Sequence, residues 1–131
     1  MSTYIYRSAG ELADLIKKGE ATSSEILNEH IAHIKKHNPS LQAVVRLLEN
    51  EARETASMRD REAKAGIFRG PLHGVPMTIK EQYWLKGTKS TLNSNRFKTW
   101  VATENAVIVN RLEKCRCNNY GKIIKCQKLP V

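Results

Sequence analysis

The chain has 131 residues, enough for one domain with a modest core, and no run in it approaches the roughly 20 apolar residues of a membrane span. It carries 22 basic and 13 acidic side chains, a formal net charge of +9, and an odd number of cysteines, which does not suggest a disulfide scaffold. The first residues lack a basic region followed by an apolar run, so we expect no signal peptide and a cytoplasmic protein.

The positive charge is concentrated near the C-terminus. Residues 114–131 contain no acidic side chain and five basic ones: Lys114, Arg116, Lys122, Lys125 and Lys128. The remaining 113 residues carry 17 basic and 13 acidic side chains, a net charge of only +4. The charge excess is therefore largely a property of the tail, and it argues against a nucleic-acid-binding surface on the rest of the chain.

Two capping boxes predict the first two helices. A hydroxyl precedes a glutamate by three positions at residues 8–11 and again at residues 22–25, and an apolar stripe at helical spacing follows each. We expect Gly19 to end the first helix and Asn38-Pro39 to end the second.

The middle of the chain alternates between short apolar and long polar segments. Residues 41–48 predict either a short strand or the start of a helix, and residues 49–64, rich in Glu, Arg and Ala, predict a charged surface helix. Residues 86–102 have little periodicity and predict a long loop, a kind of segment that is often functional. Thr103 is expected to cap a last helix, with a buried surface from Ala106, Val107, Ile108 and Leu112.

Four histidines invite a metal or catalytic interpretation, which the pattern does not favour. His30 interrupts the apolar stripe of the second helix and fits the edge of a core. His33 and His37 are four residues apart with no evident third ligand, so we expect them to be solvated. His73 lies between a turn and a strand, where a structural role in the turn is favoured.

Residues 70–81 are the most informative stretch. Two glycines and two prolines shape a turn, and a short apolar run then ends on Lys80. A buried lysine is costly unless it has a role, because desolvation disfavours its charge. On the residues alone, Lys80 is either the end of a strand that reaches solvent or a functional amine.

The same stretch resembles the signature of the amidase signature family of serine hydrolases. Residues 70–81 match Gly-Pro-Leu-x-Gly-Val-Pro-x-x-Ile-Lys-Asp/Glu without a gap, and Gly87 and Ser90-Thr91 fall at the family's glycine and hydroxyl positions. The resemblance implies an α/β fold: the N-terminal part of an α/β/α architecture, with N-terminal helices and the first strands of a mixed sheet. It also implies that Lys80 is the base of a Ser-cisSer-Lys triad, with no cofactor or metal.

The family's two serines follow later in Gly/Ser-rich segments that this chain does not contain. The resemblance therefore implies a fragment of an amidase that hydrolyses amide C–N bonds through a serine acyl-enzyme, inactive by itself and marginally stable. Ile79-Lys80-Glu81 and Ser90-Thr91-Leu92 favour the fatty acid amide hydrolase-like branch. Trp84 and Asn93 depart from the commonest family form, which bears on the substrate side of the site. Tyr83 and Trp84 either pack over the site or fill the core.

The resemblance weakens abruptly after Lys114. The family continues with a strand close to Ala-Gly-Ala-Val-Ile-Leu-Gly-Lys-Thr-Asn, whereas this chain reads Cys-Arg-Cys-Asn-Asn-Tyr-Gly-Lys. We therefore predict an amidase part at residues 1–114 and a non-family basic tail at 115–131. Loss of one base at the Cys115 codon permits the reading A-G-A-I-I-M-G-K-S, so a frameshift is one explanation.

Three alternatives stay open on the sequence. Cys115, Cys117 and Cys126 form a possible thiolate metal site, although the usual Cys-x₂-Cys spacing is absent. The basic tail fits a small binding module that docks on nucleic acid or an acidic partner. The chain also fits one half of a split amidase, completed by a separate C-terminal fragment.

Overall fold

Helices precede, connect and cover a small mixed sheet. The computed structural model describes residues 4–68, 70–92, 94–114 and 122–126. In these ranges the elements are, in order, α1 (Ala9–Lys18), α2 (Ser23–Leu41), β1 (Val44–Leu47), α3 (Glu49–Lys64), β2 (Met77–Lys80), a 3₁₀ turn (Asn95–Phe97), α4 (Val107–Lys114) and β3 (Lys122–Cys126).

The sheet has the strand order β1-β3-β2. The central strand β3 runs antiparallel to β1 and parallel to β2, with Met77 opposite Lys122 and Lys80 opposite Cys126. Parallel neighbours need a crossover, and here α4 lies on the connection between β2 and β3. The predicted α/β class with a mixed sheet is confirmed.

Both predicted capping boxes are present. In the first, the Ser8 amide donates to Glu11 Oε2 at 2.7 Å and the Glu11 amide donates to Ser8 Oγ at 3.3 Å; Thr22 and Glu25 repeat the arrangement at α2. Gly19, with φ +73°, ends α1 as predicted.

The predicted end of α2 at Asn38-Pro39 is wrong. The helix continues through Pro39 to Leu41, and the Gln42 amide donates to the Asn38 carbonyl at 2.7 Å. A proline removes one helical donor, and here it does so only in the last turn. The Asn38 side chain then bonds both the amide and the carbonyl of Val44, which turns the chain directly into β1.

Residues 41–48, for which the sequence predicted either a short strand or the start of a helix, contain a strand. Leu41 is the last residue of α2, and β1 follows at Val44–Leu47. Helix α3 then spans Glu49–Lys64 as predicted. Ala52 and Ala56 of α3 are buried against Leu27 and Ile31 of α2. Their small side chains allow this otherwise charged helix to approach α2 closely.

The last helix begins later than predicted. Thr103 does not cap it, because the Ala106 amide donates to the Trp84 carbonyl at 2.8 Å and Asn105 Oδ1 accepts from the Lys86 amide at 2.8 Å. These bonds hold the residues before α4 against the loop that follows β2, so helical bonding starts only from Ala106.

The buried face of α4 also differs from the expected one. Val107 is 69% exposed and Ile108 is 45% exposed, whereas Val109 is buried between the partly buried Ala106 and Leu112. Spacing by three residues along a helix accounts for this face. Val109 packs with Leu48, Ile79 and Leu85, and this cluster joins α4 to β2.

The histidines outside the turn have structural surroundings. His30 is half-buried and its Nδ1 lies 2.8 Å from the Ile26 carbonyl, at the edge of the core as predicted. His33 and His37 are half-buried rather than solvated, with ring centroids 4.4 Å apart. The described residues include no group of three His, Cys, Asp or Glu side chains placed to bind a metal. No helix within the described ranges is long and apolar enough to cross a membrane.

Candidate active site

A glycine-dependent turn leads into β2. Gly74 has φ +78°, and a Cβ added there would lie 3.1 Å from Ile16 Cδ1 and 3.2 Å from Ser23 Cβ. Both the backbone conformation and the close approach of α1 and α2 therefore require glycine at this position.

A hydrogen-bonded network anchors this turn to two helices. Ser23 is buried and its hydroxyl donates to the Gly74 carbonyl at 2.5 Å. The Ser23 amide donates to Asp60 Oδ1 at 2.6 Å, and the Ser24 hydroxyl donates to Asp60 Oδ2 at 2.5 Å. Asp60 of α3 thus binds the start of α2, which in turn holds the turn before β2.

His73 has the surroundings of a structural residue. Its side chain is buried, and Nε2 lies 3.0 Å from the Arg59 carbonyl oxygen. Because a carbonyl only accepts hydrogen bonds, Nε2 is the donor. The ring also meets Phe68 edge-on at 5.3 Å. These contacts tie the turn to α3 and support the structural role that the sequence favoured.

Strand β2 ends at Lys80 with its side chains alternating between core and solvent. Ile79 is buried against Leu85 and Val109, and the neighbouring Lys80 is exposed on the other face. Lys80 borders a pocket of about 210 Å³ that is also lined by Glu81, Gln82 and Leu92. Among the described residues, the strand thus presents its lysine to solvent at the mouth of a small pocket.

Glu81 is a site residue for which the sequence predicted no contact. It is 8% exposed, and its carboxylate accepts hydrogen bonds from the Thr91 amide at 2.5 Å and the Leu92 amide at 3.2 Å. The buried Ser90 hydroxyl donates to the Glu81 carbonyl at 3.3 Å. The acidic residue after the lysine and the hydroxyl pair Ser90-Thr91 were each noticed in the sequence, but only the fold brings them together.

The loop after the strand is organised rather than irregular. Residues 86–102 form the predicted long loop, whose ends are joined by bonds from the Gly87 amide to the Ala102 carbonyl and from the Ala102 amide to the Thr88 carbonyl, both 2.9 Å. Tyr83 and Trp84 are 40% and 41% exposed, so they do not fill the core. Asn93 lies outside the described residues.

Of the three residues of the predicted triad, Lys80 is the one that lies among the described residues. Ser90 is buried beside the site and bonds to the Glu81 backbone, which is a structural contact. Cys115 and Cys117 lie outside the described residues. Of Cys126, only the backbone is described, in β3, so the metal alternative is not placed.

The fold and the signature strand are those of an amidase. The family model described as Amidase matches residues 25–123, most of the chain, and the chain belongs to this family. The match continues past Lys114 into the segment that we predicted to lie outside the family.

Curated relatives agree with this family. The chain is 34% identical over 105 residues to an acylamidase of Rhodococcus erythropolis, covering 80% of this chain and 22% of the relative. It is 36% identical over 115 residues to a glutamyl-tRNA(Gln) amidotransferase polypeptide of Lachnospira eligens, covering 88% of this chain and 24% of that one. The chain therefore spans about a quarter of the length of these relatives.

Solved structures show the same fold. A bacterial aryl acylamidase of the amidase signature family superposes with a TM-score of 0.71 at 32% identity, covering 77% of this chain and 21% of its own. The native peptide amidase of Stenotrophomonas maltophilia gives a TM-score of 0.77 at 26% identity, covering 88% and 24%. A fatty acid amide hydrolase, with a TM-score of 0.76 at 24% identity, shares the fold.

Proposed function

We propose that this chain is the lysine-bearing part of an amidase that cleaves the C–N bond of carboxylic acid amides, and that Lys80 is its base. The observation that carries the proposal is the position of Lys80. It ends the signature strand, and it borders a pocket that is also lined by Leu92, whose backbone amide donates to the carboxylate of the next residue, Glu81.

The chemistry that this position suits is acyl transfer to a serine. The neutral lysine amine takes a proton, by way of the cis-serine, from the nucleophilic serine, whose oxygen then attacks the amide carbonyl carbon. The proton passes to the leaving amine as the C–N bond breaks, and water hydrolyses the resulting ester. Both serines come from outside this chain in our proposal.

The exposure of Lys80 supports the proposal that the chain is inactive alone. Lys80 is exposed among the described residues, whereas a catalytic amine works in a site that excludes water. In our proposal, the walls that enclose Lys80 come from the part of the amidase fold that the relatives have and this chain does not span. Without a nucleophile, no covalent catalysis takes place.

The substrates that we propose are small carboxamides, peptide-like amides and fatty acid amides. The first two classes are in keeping with the similarity of this chain to an acylamidase and to a peptide amidase. For the third, the support is the residue pattern around Lys80 and the shared fold. A cytoplasmic location stays a prediction.

A split amidase is the second candidate that an observation favours. Relatives extend well beyond the matched part, and this chain leaves Val107, Ile108, Tyr83 and Trp84 exposed. A separate polypeptide carrying both serines would cover such apolar groups.

Alternatively, we propose that the tail is read out of frame. Sequencing the coding DNA across the Cys115 codon and past Val131 tests this explanation directly.

Reconstitution tests the role of Lys80. The full chain is co-expressed with the segment of the Rhodococcus erythropolis acylamidase that follows its matched region, and hydrolysis of an acyl anilide is measured. We expect no hydrolysis by the chain alone and hydrolysis by the pair. Lys80→Ala and Lys80→Arg should each lower the rate at least about 100-fold, since neither residue supplies a neutral amine.

The matched control is Lys86→Ala, an exposed lysine in the same region, which should leave the rate of the pair unchanged. Hydrolysis by the chain alone, or a pair that tolerates Lys80→Ala, would contradict the proposal.

A further inference from the structure

The Glu81 carboxylate binds two consecutive backbone amides. It accepts from Thr91 at 2.5 Å and from Leu92 at 3.2 Å while the residue is almost fully buried. Charged hydrogen bonds to backbone amides are among the stronger ones in proteins. Glu81 therefore fixes the backbone of the loop at residues 91–92 relative to the end of β2.

Leu92 is held in an unfavourable backbone conformation. Its φ is +50°, a left-handed value that is uncommon for a residue with a Cβ. The Ser94 amide donates to the Thr91 carbonyl at 2.9 Å and closes the chain around it. Such conformations persist where surrounding bonds determine them, and they are frequent at ligand sites.

The result is an apolar side chain, carried on a hydrogen-bonded backbone, that lines the Lys80 pocket. The Leu92 side chain is 48% exposed although its backbone is pinned, and both Lys80 and Leu92 line the pocket of about 210 Å³. This volume is below the roughly 300 Å³ at which cavities for drug-sized ligands begin. Because the pocket is lined by Leu92 and by the polar residues Lys80, Glu81 and Gln82, it suits a short apolar group that carries a polar end.

We propose that Glu81 is a positioning residue that holds Leu92 at the Lys80 pocket, and that Leu92 is the apolar wall that receives the acyl chain of the substrate. This inference rests on the proposed role of Lys80 in an amidase site. It assigns a specificity-determining role to a leucine outside the signature stretch.

The positioning role is tested by amide hydrogen exchange on the full chain. In Glu81→Gln, at least one of the Thr91 and Leu92 amides should exchange at least about tenfold faster, because a carboxamide offers one acceptor oxygen where the carboxylate offers two. The core amide of Ile31 reports whether the fold is retained. Glu104→Gln, at an exposed glutamate, is the control and should change neither amide.

If Glu81→Gln unfolds the chain, Glu81→Asp replaces it. That variant keeps the charge but shortens the side chain, so the same two amides should exchange faster. Unchanged exchange at Thr91 and Leu92 in a folded variant overturns the positioning role.

The apolar wall is tested by binding of hexanoate to the full chain, followed by NMR of the backbone amides of Lys80, Glu81 and Gln82, which line the same pocket in every variant. Hexanoate combines a short alkyl chain with a carboxylate for the Lys80 amine, and acetate tests the charge alone. We expect hexanoate to bind more tightly than acetate, and Leu92→Ala to weaken hexanoate binding at least about fivefold. Val107→Ala removes another exposed apolar side chain and should leave binding unchanged.

Equal binding of hexanoate and acetate, or equal weakening of hexanoate binding by Leu92→Ala and Val107→Ala, overturns the proposed role of Leu92. This outcome is independent of the reconstitution experiment. If Lys80→Ala leaves hydrolysis by the reconstituted pair unchanged, the proposed function is refuted even if hexanoate binds at Leu92. A lysine-dependent amidase with no hexanoate site at Leu92 refutes only this inference.

Discussion

Single residues in this chain carry constraints that come from close approach. At Gly74, a Cβ would lie unusually close to Ile16 of α1 and Ser23 of α2, and the left-handed backbone disfavours most other residues. At Glu81, one buried carboxylate replaces the solvent for two backbone amides. Both residues belong to the signature stretch, and both constrain the backbone on either side of strand β2.

Gly74→Ala should destabilise the chain by about 1–3 kcal/mol, because the methyl group strains the left-handed backbone and crowds Ile16 and Ser23. The measurement is urea unfolding followed by circular dichroism. Gly10→Ala is the matched control: Gly10 lies in α1 with open space around it, so alanine should stabilise the helix by up to about 1 kcal/mol. Equal effects of the two substitutions would contradict the close approach at Gly74.

Hydrogen bonds to carboxylates stabilise the first turns of several helices. At the start of α1, the hydrogen bond from the Ser8 amide lowers the pKa of Glu11 most, and the bond from the Ser8 hydroxyl lowers it further. At the start of α2, the Thr22 amide and hydroxyl lower the pKa of Glu25 in the same way. The Glu49 pKa is likewise lowered, by its bonds to Lys35 and Arg53. These carboxylates favour the folded chain only while they are ionised.

The double variant Glu11→Gln/Glu25→Gln should therefore lose stability at neutral pH relative to the parent chain. A folded pKa below the ordinary 4.5 means that the stabilisation is fully present above 4.5 and is lost as pH falls through the folded values. Urea midpoints of both proteins, measured from pH 7 to pH 3, should thus converge at the acidic end. Glutamine keeps the shape of the capping box, so a constant difference across this range would contradict the role of charge.

At the scale of the molecule, polar contacts connect elements that are distant in sequence. Asp60 of α3 binds Ser23 and Ser24 at the start of α2, and Ser23 binds Gly74 before β2. The parallel pairing of β2 with β3 places Lys80 at one end of the sheet. Apolar side chains on α4 and at Tyr83 and Trp84 are exposed, and this chain spans about a quarter of the length of its relatives.

Asp60→Asn should destabilise the whole chain by about 1–3 kcal/mol, because the amide group turns one carboxylate acceptor into a donor facing other donors. Asp14→Asn, at an exposed aspartate of α1, is the matched control and should stay within about 0.5 kcal/mol of the parent chain. Amide exchange at Val75 should rise in the first variant and not in the second. A variant at Asp60 as stable as its control would show that the network does not hold the turn.

The sequence by itself determined the features that depend on neighbours along the chain. Capping boxes, helical periodicity and the glycine at the end of α1 act over a few residues, so α1, α3 and the start of α2 were predicted from them. The signature at residues 70–81 likewise identified the family, and it made Lys80 the predicted base. Tertiary structure decided what depends on distant partners: the continuation of α2 beyond Pro39, the late start and rotated face of α4, and the contact of Glu81 with Thr91 and Leu92. A hydrogen bond between residues ten or more positions apart forms only when the elements that carry them pack together. Local sequence preferences, which act over a few residues, do not predict that packing.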